Sequence, residues 1–369
     1  MKTSVLQENF SKALGLTSRF VSQKAQLPVL SNIVLKTDKT KLILLATNLE
    51  MSIASCIGAK VEEEGKIAVP ARTLTDLVSN LPKGQINLNS KEEHLNIETQ
   101  NLNSTLVGLN ANDFPVVPEK IGETAITLPA KSFISAMSQV IFATSIDETR
   151  PVLTGVLVYF EEGKLVFVAT DGFRLSQNKI AVETTADLGK TILPRSSLLE
   201  LIRTTGESEK VLLEIKNTDN QVLFEVQSKA ADIILTTRVI EGEFPAFERI
   251  IPKQSRVKVN VDKADFLQSI KASLVLARDA ANVGKLTIGE GVVSISVESS
   301  KSGSQKAKVD AKIDGGSIEI LYNLRFIEDF LNVCGGEEIE MAFVDNATAG
   351  VFRDVKSPEF LHLIMPVKI

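Results

Sequence analysis

The sequence predicts an α+β protein made of three similar domains, each built from about two βαβββ units. Two observations carry this. The chain repeats itself at close to one third of its length, and each third alternates helical apolar stripes with strands of period two. With 369 residues, 44% of them hydrophobic, the chain is too long for one compact domain and rich enough to bury several cores. One third is 123 residues, and Ala46-Thr47-Asn48 returns as Ala169-Thr170-Asp171 after that interval. Val69-Pro70-Ala71-Arg72 returns as Leu193-Pro194-Arg195, and Asp113-Phe114-Pro115 as Glu243-Phe244-Pro245, with Pro366 in the matching place near the C-terminus. Several matches in one order at one offset are the mark of an internal repeat.

The first helix of each copy starts near Phe10, Phe133 and Phe266. Its stripe is Phe10, Leu14 and Val21, then Phe133, Met137, Val140 and Ile141, then Phe266, Ile270 and Leu274. The second helix carries Leu74, Leu77, Val78 and Leu81, then Leu198, Leu201 and Ile202, then Ile327, Phe330, Leu331 and Cys334. Pro70 and Pro194 stand at or beside a first turn, where a helix tolerates proline. Between the helices run alternating segments such as residues 41–45, 164–168 and 292–297. Helices therefore lie on one face of antiparallel sheet. Linkers near 116–124 and 250–256 divide the chain into domains 1–119, 120–252 and 253–369. A period this long makes no solenoid, because each unit is large enough to fold alone. Three such domains form a rod or an arc, and a second chain closes an arc into a ring.

Composition removes most enzymes. His94 and His362 are the only histidines, Cys56 and Cys334 the only cysteines, and tryptophan is absent. Both histidines read as ordinary surface or half-buried residues rather than catalytic ones. No phosphate-binding loop, dinucleotide fingerprint, zinc-protease motif or EF-hand spacing occurs. The expectation is no catalytic residue, no metal and no cofactor. The N-terminus turns polar too early for a secretory signal, and no apolar run approaches the ~20 residues of a membrane span. A cytoplasmic protein without membrane contact is expected.

Charge is segregated. The chain carries −5 overall, yet the six predicted helical windows together carry +7, leaving −12 elsewhere. For one helix alone, Lys and Arg on a solvated face explain the excess. Helices gathered on one side would instead make a basic surface within an acidic protein.

Residues 27–32 (Leu-Pro-Val-Leu-Ser-Asn), 47–51, 69–72, 169–175 (Ala-Thr-Asp-Gly-Phe-Arg-Leu), 241–245 and 363–369 resemble the bacterial DNA polymerase III β subunit family, the β sliding clamps. The resemblance covers the whole chain. It implies the DNA clamp fold, each chain forming half of a ring. Such a head-to-tail homodimer encircles and slides on duplex DNA of any sequence. It implies a processivity factor that tethers the replicative polymerase, the clamp loader and repair proteins through short linear peptides. The DNA-facing set it implies is Lys24, Arg72, Lys12, Arg19, Arg195 and Arg203, with Lys24 foremost. The implied peptide groove is walled by Leu153, Thr170, Gly172, Phe173, Arg174, Leu175, Pro245, Ile250, Leu363 and Met365, with Pro366 and Lys368 at the rim.

Read without the resemblance, Leu153, Leu175, Ile250 and Leu363 are plain core. For the dimer seam the resemblance points to Leu106 and Leu109 meeting Val275 and Leu276 of a second chain; each could equally pack inside its own domain. Phe173 stands where the family often has His, Pro151 and Val152 where it has aromatic residues, and Lys368 replaces a frequent Arg. Two other classes stay in view. One is a carboxylate-based enzyme, for which no repeat shows its own acidic cluster. The other is a DNA-independent peptide-binding scaffold of three repeated domains.

Overall fold

The computed structural model describes residues 1–22, 27–182, 189–206, 208–216, 219–227 and 231–368. Among them are six α-helices: α1 (Gln7–Thr17), α2 (Ala71–Ser79), α3 (Ala130–Ile141), α4 (Arg195–Thr205), α5 (Lys263–Ala277) and α6 (Leu324–Val333). The last two thirds each read as two βαβββ units, as the repeat predicts. The first third follows suit with one added short strand, Lys60–Glu63. All named strands pair antiparallel. The chain separates into two compact units, Met1–Phe133 with Ser196–Val239, and Ile134–Arg195 with Ile240–Ile369.

The first unit holds an eight-stranded sheet. Its order is Ile126–Pro129, Lys210–Lys216, Gln221–Gln227, Asp232–Arg238, Met51–Gly58, Lys41–Thr47, Asn32–Asp38, Lys66–Pro70. A strand of the second third thus pairs directly with one of the first, Ile234 facing Ala54 in register. A five-stranded sheet, Lys60–Glu63, Lys2–Leu6, Gln85–Lys91, His94–Glu98, Asn103–Val107, completes the unit. Helix α1 packs on α2 and on the strands 41–47 and 51–58, burying Phe10, Ala13 and Leu14.

The second unit is organised by a twelve-stranded sheet. It begins Thr191–Pro194, Gly155–Glu161, Lys164–Thr170, Arg174–Ala181, and crosses to the last third at Leu361–Ile364. From there it runs through Gly350–Asp354, Glu338–Phe343 and Val257–Asp262, then Gly303–Gly315, Val292–Ser299, Val283–Gly289 and Ile318–Asn323. Two-residue turns at Glu162-Gly163 and Glu290-Gly291 have positive φ at both positions, as type I′ hairpins need. Asp262 and Asn323 cap α5 and α6 by accepting from the N–H groups of Asp265 and Arg325. Those helices bury Phe266, Ile270, Ile327 and Phe330 in a core that includes Tyr322, Phe343, Phe352 and Phe360.

Several details depart from the sequence reading. Helix α1 starts at Gln7 rather than near Phe10, and Val21 lies beyond it, past a 3-10 turn at Ser18–Phe20. Leu81 lies past the end of α2 yet is buried. His94 is exposed. His362 is neither surface nor half-buried: its relative exposure is 0%. Its ring stacks on Phe330 at 5.2 Å and 9°, and its Nδ1 lies 2.7 Å from the Ser176 hydroxyl. Period-two alternation puts His362 on the face opposite Leu361 and Leu363, and that face is covered by α6.

This enclosure predicts a pH dependence. Burial, reinforced by the nearby Arg174 charge, pushes His362 well below its ordinary value of 6.5. The folded chain therefore keeps it neutral while the unfolded chain protonates it below about 6.5. Its contribution is fully present above that pH and is lost as pH falls, by at most about 1.4 kcal/mol per pH unit. Urea unfolding of the parent and His362→Gln between pH 7.5 and 5.5 should show a steeper loss in the parent. Parallel curves would refute the assignment.

Candidate peptide groove and cationic positions

The groove residues of the sequence reading come from four stretches of the second unit. The strands Arg174–Ala181 and Leu361–Ile364 pair with Leu175 opposite Leu363. Side chains alternate along a strand, so these two share one face, and both are buried in one apolar cluster with Val166, Val168, Phe247 and Val351. Ahead of Leu175 the chain turns sharply. Thr170 Oγ1 donates to the Arg174 carbonyl at 2.6 Å and accepts from the Gly172 N–H at 3.0 Å. Asp171 Oδ1 accepts from the N–H groups of Phe173 and Arg174 at 2.9 and 3.0 Å. Gly172 has φ +94°, a conformation that disfavours side chains. A Cβ there would meet Arg150 Nη1 at 3.3 Å.

This turn carries Phe173 outward, 62% exposed. The Phe173 carbonyl accepts from the Met365 N–H at 2.8 Å, which ties the end of the last strand to the turn. Met365 is partly buried against the Leu175–Leu363 cluster. Leu153 is buried on the 3-10 turn Pro151–Leu153, while Pro245, Ile250 and Lys368 are exposed.

Two expectations change. Pro366 is buried rather than at a rim. Arg174 is no free wall: its Nε reaches Asp171 at 3.0 Å and its Nη1 reaches Asp329 at 2.7 Å. Nη2 donates to the Phe142 carbonyl at 2.9 Å, and the guanidinium lies 4.5 Å from the Phe326 ring centroid. With every N–H-bearing nitrogen committed, Arg174 holds the turn against α6. Two residues were missed. Phe244 packs on the same cluster beside Val152, both half-buried, and Arg150 overhangs Gly172, anchored to Asp147 at 3.0 Å. Hydrogen bonds from Thr149, then Arg150, hold the Asp147 carboxyl below its usual range. The recurrence of Phe114-Pro115 as Phe244-Pro245 was the signal for Phe244.

The cationic positions separate by pairing. Lys24 lies outside the described residues. Lys12 on α1 and Arg195 at the start of α4 are exposed. Arg72 on α2 is 94% exposed, with Asp76 at 3.8 Å. Arg19 and Arg203 share one carboxylate, Glu200, at 3.5 and 2.6 Å. Of the seam residues, Leu106 is half-buried on the edge strand Asn103–Val107. Leu109 bonds through its backbone to Ala68 in both directions, and its side chain stays exposed. Val275 is exposed on α5, whereas Leu276 packs against the core of its own unit.

The Ser176 hydroxyl beside the His362 imidazole is fully buried and closed to any substrate. Cys334 is buried and free, and burial raises its thiol far above the ordinary range. Among the described residues no three His, Cys, Asp or Glu side chains gather as a metal site would require, and no helix is long and apolar enough to cross a membrane.

Models of the DNA polymerase III beta subunit match the chain three times in tandem: the N-terminal domain over 1–118, the central over 127–246, the C-terminal over 248–368. A beta sliding clamp of Staphylococcus aureus (strain Mu50) is 29% identical across all of this chain and 99% of its own length. Among solved structures, the DNA polymerase sliding clamp of Bacillus subtilis aligns at TM-score 0.93 and 26% identity, covering 100% of this chain and 99% of its own. The beta subunit of Streptococcus pyogenes aligns at 0.94 and 25%, covering both chains fully. With three consecutive domain matches and full-length relatives of one kind, the chain belongs to the DNA polymerase III beta subunit family, the bacterial sliding clamps, which are processivity factors in DNA replication and not enzymes.

Proposed function

We propose that two copies of this chain close head to tail into a cytoplasmic ring around duplex DNA. Each copy would contribute clamp domains at 1–119, 120–252 and 253–369. The observation that carries the ring is a pair of unfilled strand edges. Asn103–Val107 pairs only with His94–Glu98, and residues 303–309 pair only with Val292–Ser299. Each leaves a row of backbone N–H and C=O groups without a strand among the described residues. Such an edge invites another chain unless it is blunted. A head-to-tail dimer would join the first edge of one copy to the second edge of the other. Leu106, Leu109 and Val275 would come under cover there, with Leu276 beneath.

The ring acts mechanically. Lys12, Arg19, Lys24, Arg72, Arg195 and Arg203 would face phosphates, which carry no sequence information. Topological closure lets each contact be weak, and the excess of acid elsewhere repels DNA from the outside. Opening would need a separate ATP-driven loader, since the sequence has no phosphate-binding loop of its own.

The Leu175–Leu363 floor beside the Gly172 turn suits an apolar anchor of a short linear peptide. Replicative polymerase, clamp loader and repair proteins would dock there in turn. Arg174 would serve by holding the floor rather than by touching the peptide.

Loaded on nicked circular DNA by a clamp loader, the protein should stay through gel filtration, as a dimer of twice the 40.1 kDa chain mass, and leave when the circle is cut. Equal retention on cut DNA would mean a scaffold or an ordinary DNA binder. The Lys12→Glu, Arg72→Glu double variant should dimerise normally yet leave circles faster. Its log–log salt slope should be shallower by about two, one per lost phosphate contact.

A Gln- and Leu-containing clamp-binding peptide should bind Met365→Ala about 1–2 kcal/mol more weakly than the parent, the scale of a truncated interface anchor. Gly172→Leu should block it, through φ strain and the approach to Arg150. Calorimetry on folded, dimeric variants checks both. Parent-like binding by Met365→Ala would put the groove elsewhere.

A further inference from the structure

The two junctions between thirds share one framework, and the first has a hole where the second has a lysine. At the second junction Lys179 pairs in register with Val166. Its ammonium reaches Glu161 at 3.1 Å. Beside it Lys164 pairs with Glu359 at 2.6 Å, and Arg353 with Glu340 at 3.6 Å.

The first junction repeats this layout 123 residues earlier. Ile43 pairs in register with Cys56, and Lys41 pairs with Asp232 at 3.5 Å, the counterpart of Lys164 with Glu359. Asp38 stands where Glu161 stands in the second copy. Cys56 stands where Lys179 stands, and Glu225 occupies the ladder position of Arg353, each facing the strand that crosses between thirds. One cation has become a short thiol and another a carboxylate.

The result is a cavity of about 360 Å³, with Ile43, Ala54 and Ile234 on its sheet side and Glu119, Lys120 and Ile121 along its other wall. Cys56 is half-buried in it. Most of the lining carboxylates are engaged: Asp232 by Lys41, Glu119 by Lys36 at 2.7 Å, and Glu225 by the Gln227 amide at 2.8 Å. Asp38 has no ion pair among the described residues.

We propose that this cavity is a socket for one lysine side chain presented by a partner polypeptide. The four-carbon stem lies over Ile43, Ala54 and Cys56, and the ammonium pairs with Asp38. The partner thereby supplies from outside what Lys179 supplies from within at the second junction. The occupant is cationic because six charged groups line the cavity with a net −2. It is a single ammonium, because one lining carboxylate lacks a cation or an amide on it. It comes on a polypeptide, because one exposed ion pair is too weak to hold a free amine, so flanking backbone must add contacts.

The thiol supplies the test. Cys334 is buried and Cys56 is half-buried, so alkylation of the folded protein reports on the cavity. Burial raises the Cys56 thiol, so iodoacetamide is used at pH 8.5, where a lysine is still charged. The peptide acetyl-Ala-Leu-Lys-Leu-Ala-amide should slow Cys56 alkylation saturably. The same peptide with norleucine for lysine should be weaker by about two- to fivefold, the scale of one exposed ion pair. Asp38→Asn should erase that difference without changing the rate in the absence of peptide. In Cys56→Lys, which refills the socket from within, calorimetry should detect no binding of the lysine peptide. Equal protection by the norleucine peptide, a persisting difference in Asp38→Asn, or parent-like heat in folded Cys56→Lys would each overturn the proposal. Protection by butylammonium as strong as by the peptide would also overturn it, making the occupant a free amine.

Discussion

Backbone pairing across the thirds is the constraint on which the rest of this structure depends. The last strand of a third cannot leave its N–H and C=O groups unpaired inside the protein. Asp232–Arg238 therefore pairs with Met51–Gly58, and Leu361–Ile364 with Arg174–Ala181. That pairing makes one continuous sheet out of halves of adjacent repeats, and it fixes register. A slip of one residue at the second crossing would turn Leu363 to the helix side and His362 outward. The floor of the groove and the buried aromatic cluster would be lost together. The same register aligns the Met365 N–H with the Phe173 carbonyl, so the groove's edge follows from the ladder.

Both crossings are entered by the same turn, bond for bond. Thr47 Oγ1 donates to the Met51 carbonyl and accepts from Leu49 N–H, as Thr170 does with Arg174 and Gly172. Asn48 caps Glu50 and Met51 as Asp171 caps Phe173 and Arg174. The Arg238 N–H reaches the Glu50 carbonyl just as Met365 reaches Phe173. What differs is side chains. Leu49 holds φ +76° where Gly172 holds +94°, a strained conformation for leucine. The floor pair Leu175 and Leu363 becomes Ser52 and Thr236, opposite each other in register. An apolar anchor that fits the second crossing would meet hydroxyls at the first. One framework thus yields two junctions of different chemistry.

The repeat and the element types were legible in the sequence because each rests on local periodicity: the stripes Phe266, Ile270, Leu274 and Ile327, Phe330, Leu331 are buried as read. Element ends were less so. Val21 continues the apolar spacing of α1, yet the helix gives way to a 3-10 turn before it, and spacing alone does not register that change of winding. The enclosure of His362 was invisible, because it depends on α6 and the Phe330 ring arriving from elsewhere in the chain. Arg174 shows the same limit. Its partners Asp329, Phe142 and Phe326 are distant in sequence, so a motif position that reads as a wall proves to be a brace. Pro366, between two half-buried positions, reads as rim for want of any local sign of what covers it.

The pairing of the basic residues bears on how a closed ring would slide. Exposed ion pairs contribute about 0–1 kcal/mol and are screened by salt. Arg19 and Arg203 share a Glu200 carboxylate that is mostly buried, whereas Arg72 beside Asp76, both largely exposed, is a charge held loosely in place. A phosphate passing within reach can replace the carboxylate at little net change in energy, and the carboxylate recaptures the guanidinium when the phosphate moves on. Lys12 and Arg195, which have no ion pair among the described residues, lack such a competitor and would grip each phosphate longer. A mixture of the two flattens the energy along the DNA, because every advance trades one ion pair for another of similar strength. Retention would then rest chiefly on ring closure at the proposed edges 103–107 and 303–309, with the basic residues adding a smaller, salt-dependent part.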